Sequence, residues 1–384
     1  MQNEHLLPEA RSQYQVPGTS RSQYIAHLLP EASTSTVQRI MGCCGSRSYD
    51  KALTPEDKYY FDFYKNMPDL AGKTIAITGT TSGTGLQLAI GAVKKNAVVI
   101  LLNRPSERSD AALKTIQEQA SEPNNVRSVS CDLSSFDSVR QAAAIILADY
   151  EHIDVLANNA GVMAFPDEAT EDSFDIQIQT NHLSHFLLTN LLFPRLVTAS
   201  EIHGEARIVN HSSLARNGGK LKEQYFSKHS GGNLGGNGAA MIGCCGSGAR
   251  WTRYHHSKLA NSVFTQALHR RLERNDNYSN ILCCCAAPGY AATQLQVSAH
   301  RAGGFVNCLD VWTTRFAQSI PDGTMPIMHA CFAPNVKSGE LWEPSNGMGG
   351  LPVATALKPV EVDGESCEGL WNWSEVATNI KWDL

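Results

Sequence analysis

Short, mostly apolar runs along the chain alternate with segments in which apolar positions recur at helical spacing. The runs occupy residues 73–77, 97–102, 153–157, 206–210 and 281–285. Apolar runs of this length predict strands that are buried on both faces of a sheet. Helical spacing appears in residues 86–90, from residue 136 onward and in residues 254–268. Strands that alternate with helices predict an α/β fold with a parallel sheet.

A glycine-rich segment, Thr78-Gly-Thr-Thr-Ser-Gly-Thr-Gly85, follows the first predicted strand and precedes a predicted helix. Glycine allows the backbone to turn tightly and to approach a pyrophosphate, which then faces the free N–H groups and the positive dipole end of the helix. The alternative for an isolated match is a loop that binds nothing. The segment therefore predicts a dinucleotide site only together with other signals.

Tyr254 and Lys258 are four residues apart on a predicted amphipathic helix, so both side chains project from one face. A phenol with a pKa of about 10 is a poor base near neutrality, but a nearby ammonium group favours the phenolate. No other tyrosine in the chain has a lysine four residues later. The pair predicts a proton-transfer site, and the alternative is a solvated helix face.

Four clusters in one order resemble the short-chain dehydrogenase/reductase family: the glycine turn, Asn-Asn-Ala-Gly at 158–161, the serine pair at 212–213 and Tyr-x-x-x-Lys at 254–258. The resemblance covers residues 70–355. Residues 181–190 and 254–261 resemble most closely the branch of the retinol dehydrogenases and WW-domain oxidoreductases, although no WW-like segment is present. The resemblance implies a single-domain Rossmann-type fold, a doubly wound parallel sheet with helices on both faces.

The resemblance also implies catalytic roles. Tyr254 would be the acid/base, and Ser213 would hydrogen-bond the substrate oxygen. Lys258 would lower the tyrosine pKa and bind the nicotinamide ribose, while Asn181 would hold a water in the proton relay. We choose Ser213 over Ser212 because the family uses the second serine of such a pair, although either serine could merely end a strand.

The predicted cofactor contacts follow the same resemblance. They are Gly79, Thr81, Ser82, Gly83, Gly85, Arg104, Asp132, Leu133, Asn158, Ala160, Gly161, Tyr254, Lys258, Pro288, Gly289 and Thr293. Residues 158–161 and 288–289 follow predicted strands, and ligands of open sheets bind beyond such carboxyl ends. Asp132 has an alternative role as a cap of the helix that begins near residue 136.

The end of the second predicted strand carries Asn103-Arg104. An acidic residue there would bind the ribose 2′-hydroxyl of NAD, whereas an arginine accommodates a 2′-phosphate. The sequence therefore predicts NADP(H) rather than NAD(H). The alternative for Arg104 is an ordinary solvated loop charge.

The predicted reaction is reversible hydride transfer between the nicotinamide and a carbonyl or alcohol of a small, lipophilic substrate. The candidates for an apolar substrate pocket are Leu295, Val297, Phe305 and Trp312. The alternative is that these side chains belong to the hydrophobic core. A non-catalytic NADP-sensing or scaffold protein on the same fold is the second hypothesis. A nucleotide-sugar epimerase is disfavoured, because three residues rather than two separate the first two glycines of the turn.

Composition and charge bear on the possible partners, on metal binding and on the cellular compartment. The 384 residues carry a net charge of −5 and no basic stripe with interleaved aromatics, which argues against nucleic acid as a partner. No run approaches the roughly 20 apolar residues of a membrane-spanning helix. The eleven cysteines show no spaced zinc-site pairs, so we predict no metal, free thiols and a reducing, cytoplasmic compartment. Oligomeric state is left open.

The first fifty residues contain duplicated tracts, such as His-Leu-Leu-Pro-Glu-Ala at 5–10 and 27–32. We predict a disordered leader over 1–50 and one NADP-binding oxidoreductase domain over 51–384. If translation starts at Met41, Gly42 would be a myristoylation site with Cys43 and Cys44 open to palmitoylation, which predicts membrane association. As written Gly42 is internal, and the alternative is a flexible linker.

Residues 230–250 form a glycine-rich insertion between the predicted catalytic serine and tyrosine. Glycine at this density favours a mobile surface loop. The insertion is predicted to be either a lid over the substrate or an inert segment.

Overall fold

The computed structural model describes residues 55–293 apart from 218, 229–231, 243 and 244, then residues 295, 298 and 299, and residues 317–384. The leader and the acylation candidates Gly42, Cys43 and Cys44 lie outside this part, so the domain boundary and the lipid anchor stay predictions. Val297, Phe305 and Trp312 also lie outside the described residues.

An eight-stranded sheet forms the centre of the fold. Its strands lie in the order β3-β2-β1-β4-β5-β8-β9-β10, and all neighbours are parallel except β9 and β10. The strands of the chain are β1 (Thr74–Thr78), β2 (Val98–Asn103), β3 (Val126–Ser130), β4 (Val155–Asn158), β5 (Ala206–His211), β6 (Ala240–Ile242), β7 (Cys245–Ser247), β8 (Ile281–Ala286), β9 (Leu341–Pro344) and β10 (Pro352–Thr355). The sheet order is that of a doubly wound fold, which confirms the predicted class.

Helices cover both faces of the sheet. Among the described residues, the α-helices of four or more residues are α1 (Tyr60–Lys65), α2 (Gly83–Val93), α3 (Glu107–Gln117), α4 (Phe136–Asp149), α5 (Ser184–His203), α6 (Ala249–Leu272), α7 (Ile320–Phe332), α8 (Pro359–Val362) and α9 (Gly364–Thr378). Successive strand residues point to opposite faces, so Ile75 and Ile77 of β1 pack into one core and Ala76 packs into the other. This double burial explains why the strands read as apolar runs.

The strand order reverses between β1 and β4, which are neighbours in the sheet although β2 and β3 lie between them in sequence. Such a switch point opens a crevice at the carboxyl ends of the strands, where ligands of open α/β sheets bind. The glycine turn after β1 and the Asn-Asn-Ala-Gly segment at the end of β4 meet at this crevice.

The glycine-rich insertion contains more structure than the sequence predicted. Strands β6 and β7 form an antiparallel hairpin. The Asp167 carboxylate accepts hydrogen bonds from the N–H groups of Leu234 and Gly236, at 2.9 and 2.8 Å. Arg253, which is fully buried, donates to the carbonyl oxygens of the same two residues and pairs with Asp175 at 2.9 Å. Buried charges therefore attach the described part of the insertion to the body of the domain.

A search of the described residues for a helix of sufficient length and hydropathy to cross a bilayer finds none.

Candidate active site

A cavity of about 710 Å³ lies at the carboxyl ends of the central strands. This volume falls within the usual range for small-molecule and cofactor sites. The predicted residues that line it are Gly79, Thr81, Ser82, Gly83, Arg104, Asp132, Leu133, Ala160, Gly161, Ser213, Tyr254, Lys258, Pro288, Gly289, Thr293 and, for substrate, Leu295. Three further predicted residues, Gly85, Asn158 and Asn181, lie behind its walls.

Two glycines of the turn, Gly79 and Gly85, have no room for a side chain. A Cβ on Gly79 would lie 2.7 Å from the Cβ of Ala160, and a Cβ on Gly85 would lie 2.2 Å from the carbonyl oxygen of Gly79. The N-cap of α2, Ser82, makes no side-chain capping hydrogen bond. The first N–H groups of the helix are therefore without a side-chain cap, which is the arrangement that binds a phosphate group.

The side chain of Asn103, at the end of β2, forms hydrogen bonds with the glycine turn through both of its polar groups. Its Oδ1 accepts from the backbone N–H of Thr80 at 2.8 Å, and its Nδ2 donates to the Thr80 hydroxyl at 2.8 Å. The side chain is 4% exposed. This is the position where an acidic residue would bind a ribose 2′-hydroxyl, and here the side chain instead fixes the loop.

Sequence reasoning missed Arg108, on the first turn of α3. Its guanidinium donates to the Ser82 hydroxyl at 3.2 Å, and both Arg104 and Arg108 line the cavity. Two guanidinium groups thus border the end of the cavity next to the glycine turn. The signal that could have identified it is a second arginine in the first turn of the helix that follows Arg104.

The structure places the side chain of Asn158 away from the cavity. Its amide donates to Thr189 and Asn210 at 2.9 Å each, and the side chain is 1% exposed, away from the cavity. The neighbouring Asn159 lines the cavity instead, because alternate strand residues face opposite sides. Its Nδ2 donates to the carbonyl oxygen of Thr78, at 2.9 Å.

Asp132 lies at the cavity, as predicted, and it also has a structural role within its own loop. Its side chain lines the cavity, but its Oδ1 also accepts from the backbone N–H and the hydroxyl of Ser134, at 2.9 and 2.7 Å. Ser135, not Asp132, is the N-cap of α4. Asp132 therefore forms a local turn at the rim of the cavity.

Tyr254 and Ser213 meet at the wall of the cavity. Tyr254 lies on α6, which is almost wholly buried, and Ser213 lies two residues after β5. Both residues line the cavity, and the Ser213 side chain lies close enough to lower the pKa of the Tyr254 phenol. Ser212 is instead 2% exposed and donates to the carbonyl oxygen of Lys258 at 2.7 Å. The geometry thus brings Ser213 to the tyrosine and places Ser212 in a structural role.

Lys258 lies one helical turn after Tyr254, with its Nζ 6.0 Å from the centre of the phenol ring. The ammonium donates to the carbonyl oxygen of His211 at 3.0 Å. Burial lowers the pKa of Lys258 to about 8 and raises the pKa of Tyr254 to about 12, the latter opposed by the nearby Ser213 side chain. Desolvation therefore outweighs the charge effect that the sequence predicted for the phenol.

Asn181 lies in a π-helical turn, Gln179–Leu183, that precedes α5. Its Oδ1 accepts from the N–H of Val162 at 2.8 Å, and its Nδ2 donates to the Val162 carbonyl at 2.9 Å and to the Ser257 hydroxyl at 2.9 Å. A Cβ on Gly161 would lie 3.1 Å from the same Oδ1 and 3.2 Å from the Lys258 Nζ. Asn181 therefore fixes the segment that faces Lys258, and π-turns are frequent at functional sites.

Comparisons with known proteins agree with this geometry. The family described as short chain dehydrogenase matches residues 73–230. An uncharacterized oxidoreductase of Schizosaccharomyces pombe is 36% identical over 234 residues, which is 60% of this chain and 64% of that protein. Human retinol dehydrogenase 13 is 36% identical over 234 residues, 59% of this chain and 61% of that protein. The match spans less than two thirds of either relative.

A solved structure of an uncharacterized protein from Mycobacterium paratuberculosis has a TM-score of 0.63 and 28% identity, and it covers 86% of this chain and 100% of that one. Fold, site and comparisons agree that residues 73–230 are similar to short chain dehydrogenases. The similarity to human retinol dehydrogenase 13 agrees with the branch that the sequence resemblance indicated.

Proposed function

We propose that the protein is an NADP(H)-dependent oxidoreductase that transfers a hydride between the nicotinamide and a carbonyl or alcohol substrate. One observation carries the proposal. The phenol of Tyr254, the side chain of Ser213 and the ammonium of Lys258 line the same cavity as the glycine turn. A protein that only senses a nucleotide needs the turn, but it needs no proton carrier.

The cavity fits a dinucleotide. Gly79 and Gly85 allow the turn to pack tightly, since a Cβ on either would meet protein atoms, and the start of α2 has no side-chain cap for its N–H groups. The pyrophosphate would lie against these groups, and Lys258 would hold the nicotinamide ribose. When bound, the nicotinamide supplies or accepts the hydride at its C4 atom.

The residues of the chain supply the proton and orient the substrate. In reduction, Ser213 donates a hydrogen bond to the carbonyl oxygen, and Tyr254 transfers its phenolic proton to that oxygen as the hydride reaches the carbonyl carbon. The lysine ammonium stabilises the phenolate left behind. In oxidation, the phenolate removes the hydroxyl proton, so the site works in both directions.

Two features support NADP(H) over NAD(H). Arg104 and Arg108 border the cavity and can form charge-assisted hydrogen bonds to a 2′-phosphate. Asn103 uses both side-chain groups on Thr80 and is therefore not free to bind a 2′-hydroxyl.

The proposed substrate is lipophilic. Met163, Phe165, Trp251 and Leu295 line the cavity beside the phenol, and Trp251 packs edge-on against Tyr254 with ring centres 5.8 Å apart. Apolar walls with a few polar groups are typical of sites that bind hydrophobic small molecules. We propose that hydrophobic aldehydes, ketones or the corresponding alcohols occupy this end of the cavity.

The test is Tyr254→Phe, with Tyr278→Phe as a matched control that removes a hydroxyl outside the residues lining the cavity. NADPH consumption is measured at 340 nm with a panel of hydrophobic aldehydes and ketones, and NADPH binding is measured by fluorescence titration. We expect Tyr254→Phe to lose at least about 100-fold in kcat while it retains cofactor binding. Turnover equal to that of the control would refute the role of Tyr254, and NADPH binding without turnover of any compound in the wild type would favour the sensor hypothesis.

A further inference from the structure

Three potential metal ligands meet at the amino ends of the central strands, opposite the cavity. Asp154 immediately precedes β4, His152 lies two residues earlier, and His203 ends α5. One side-chain ligand atom from each lies within 4.8 Å of the others. The three residues come from two segments that are fifty residues apart, so their spacing in the sequence predicted no site.

The distances between the groups are close to those of a metal site. His203 Nδ1 lies 2.6 Å from Asp154 Oδ1, and His152 Nε2 lies 3.5 Å from Asp154 Oδ2. Ligand atoms of a tetrahedral zinc site lie about 3.4 Å apart, because each bond is about 2.0–2.2 Å long. The two distances involve different carboxylate oxygens, so with Asp154 binding through both oxygens His152 already has this separation, and His203 needs to move away by less than about 1 Å.

The carboxylate of Asp154 is held in place by contacts within the protein. Its side chain is 4% exposed, and Oδ2 accepts from the backbone N–H of Thr74 at 2.8 Å. The two imidazole rings pack edge to face, with centres 4.9 Å apart. His152 Nδ1 is buried without a hydrogen-bond partner among the described residues. The polar contacts found for this ring are made by its other nitrogen, Nε2, which faces Asp154.

Lys73 is the group that opposes metal binding. Its ammonium lies 3.1 Å from Asp154 Oδ1, the same oxygen that contacts His203. The lysine side chain is 32% exposed, so it can turn into solvent when an ion replaces it as the partner of the buried carboxylate. Lys73 therefore acts as a competitor that occupies the carboxylate while no ion is bound.

We propose that His152, Asp154 and His203 bind a divalent transition-metal ion, of which zinc is the representative. Two imidazoles and one carboxylate suit zinc and its neighbours rather than the hard ions calcium and magnesium. The site joins the end of α5 to the starts of β1 and β4, so the ion has a structural role. It does not depend on the proposed oxidoreductase activity.

The test uses the full chain after chelator treatment, with Zn²⁺ alone in equilibrium dialysis and Co²⁺ as a spectroscopic probe. We expect His203→Gln and His152→Gln to lose one equivalent of zinc and the visible absorption of bound cobalt. His269→Gln is the matched control, because His269 also pairs with a carboxylate, that of Glu273 at 3.4 Å. It should retain the full stoichiometry.

A fourth variant tests the competitor directly. Lys73→Met should bind zinc at least several-fold more tightly than the wild type, since the cation that occupies Asp154 is removed. Zinc should also raise the Tm of the wild type and of Lys73→Met, but not the Tm of His152→Gln, and circular dichroism checks that this variant is folded. Equal zinc stoichiometry in the wild type and both ligand variants, or no binding by the wild type, would overturn the proposal.

Discussion

The cofactor preference can be tested by removing the two arginines at the edge of the cavity, singly and together. Arg104→Ala and Arg108→Ala each delete a guanidinium that lines the cavity, and Arg108 also loses its hydrogen bond to Ser82. The affected quantity is the ratio of kcat/KM for NADPH to kcat/KM for NADH. A 2′-phosphate is present only in the first cofactor, so a contact to it changes the ratio and leaves NADH turnover nearly constant.

The magnitude follows from the strength of the contacts. A hydrogen bond to a charged group contributes about 1.5–3 kcal/mol, which corresponds to about 10- to 150-fold in the ratio. Both arginines are exposed, so solvent and salt screen them and the lower end applies. We expect about a tenfold fall for each single variant and about a hundredfold fall for the double variant, with smaller effects at high salt.

The assay is initial-rate kinetics with both cofactors at two ionic strengths. Arg127→Ala is the control, because Arg127 is an exposed arginine on the neighbouring strand β3 and does not line the cavity. An unchanged ratio in the double variant would refute the assignment of the arginines to a 2′-phosphate. An equal loss with NADH would instead assign them to a part of the dinucleotide that both cofactors share.

Two further predictions concern the cavity. Gly85→Ala should weaken NADPH binding at least tenfold in a fluorescence titration, because its Cβ would meet the Gly79 carbonyl oxygen at 2.2 Å. Gly238→Ala is the control and should bind normally, because a Cβ there has open space. Equal affinity of the two variants would contradict the close-packed turn. The pKa of Lys258 is lowered to about 8, so between about pH 8 and pH 10.4 the unfolded chain holds a proton that the folded chain has released. The unfolding free energy of the cofactor-free protein should therefore rise with pH across this window, by up to about 3 kcal/mol, and Lys258→Met should lack the rise in thermal melts.

The strands could be predicted from the sequence because burial on both faces leaves an unbroken apolar run. The order of the clusters also pointed to most of the residues that line the cavity. Asn158 does not line it, since adjacent strand residues face opposite sides and a motif of consecutive letters does not say which one faces the cavity. Asn159, one residue later, has the position that the motif assigned to its neighbour.

Other features depend on contacts between distant segments, and no local pattern marks them. Arg216 is buried between Glu343 at 2.6 Å and Glu361 at 2.9 Å, partners that lie more than a hundred residues away. The attachment of the glycine-rich insertion by Arg253 and the cluster around Asp154 are of the same kind. Composition suggested a mobile loop and no metal, because glycine content and cysteine spacing describe only neighbouring residues.

The burial of Lys258 favours an enzyme over a nucleotide sensor. The side chain is 4% exposed, and burial disfavours its charged form, as the lowered pKa records. Binding of a pyrophosphate requires none of this, because the glycine turn and the start of α2 provide N–H groups for it. A buried ammonium one helical turn from a buried phenol is costly for stability, and besides holding the nicotinamide ribose it can stabilise a phenolate while a proton is transferred. The part of the site that destabilises the fold is thus the part that the proposed chemistry requires.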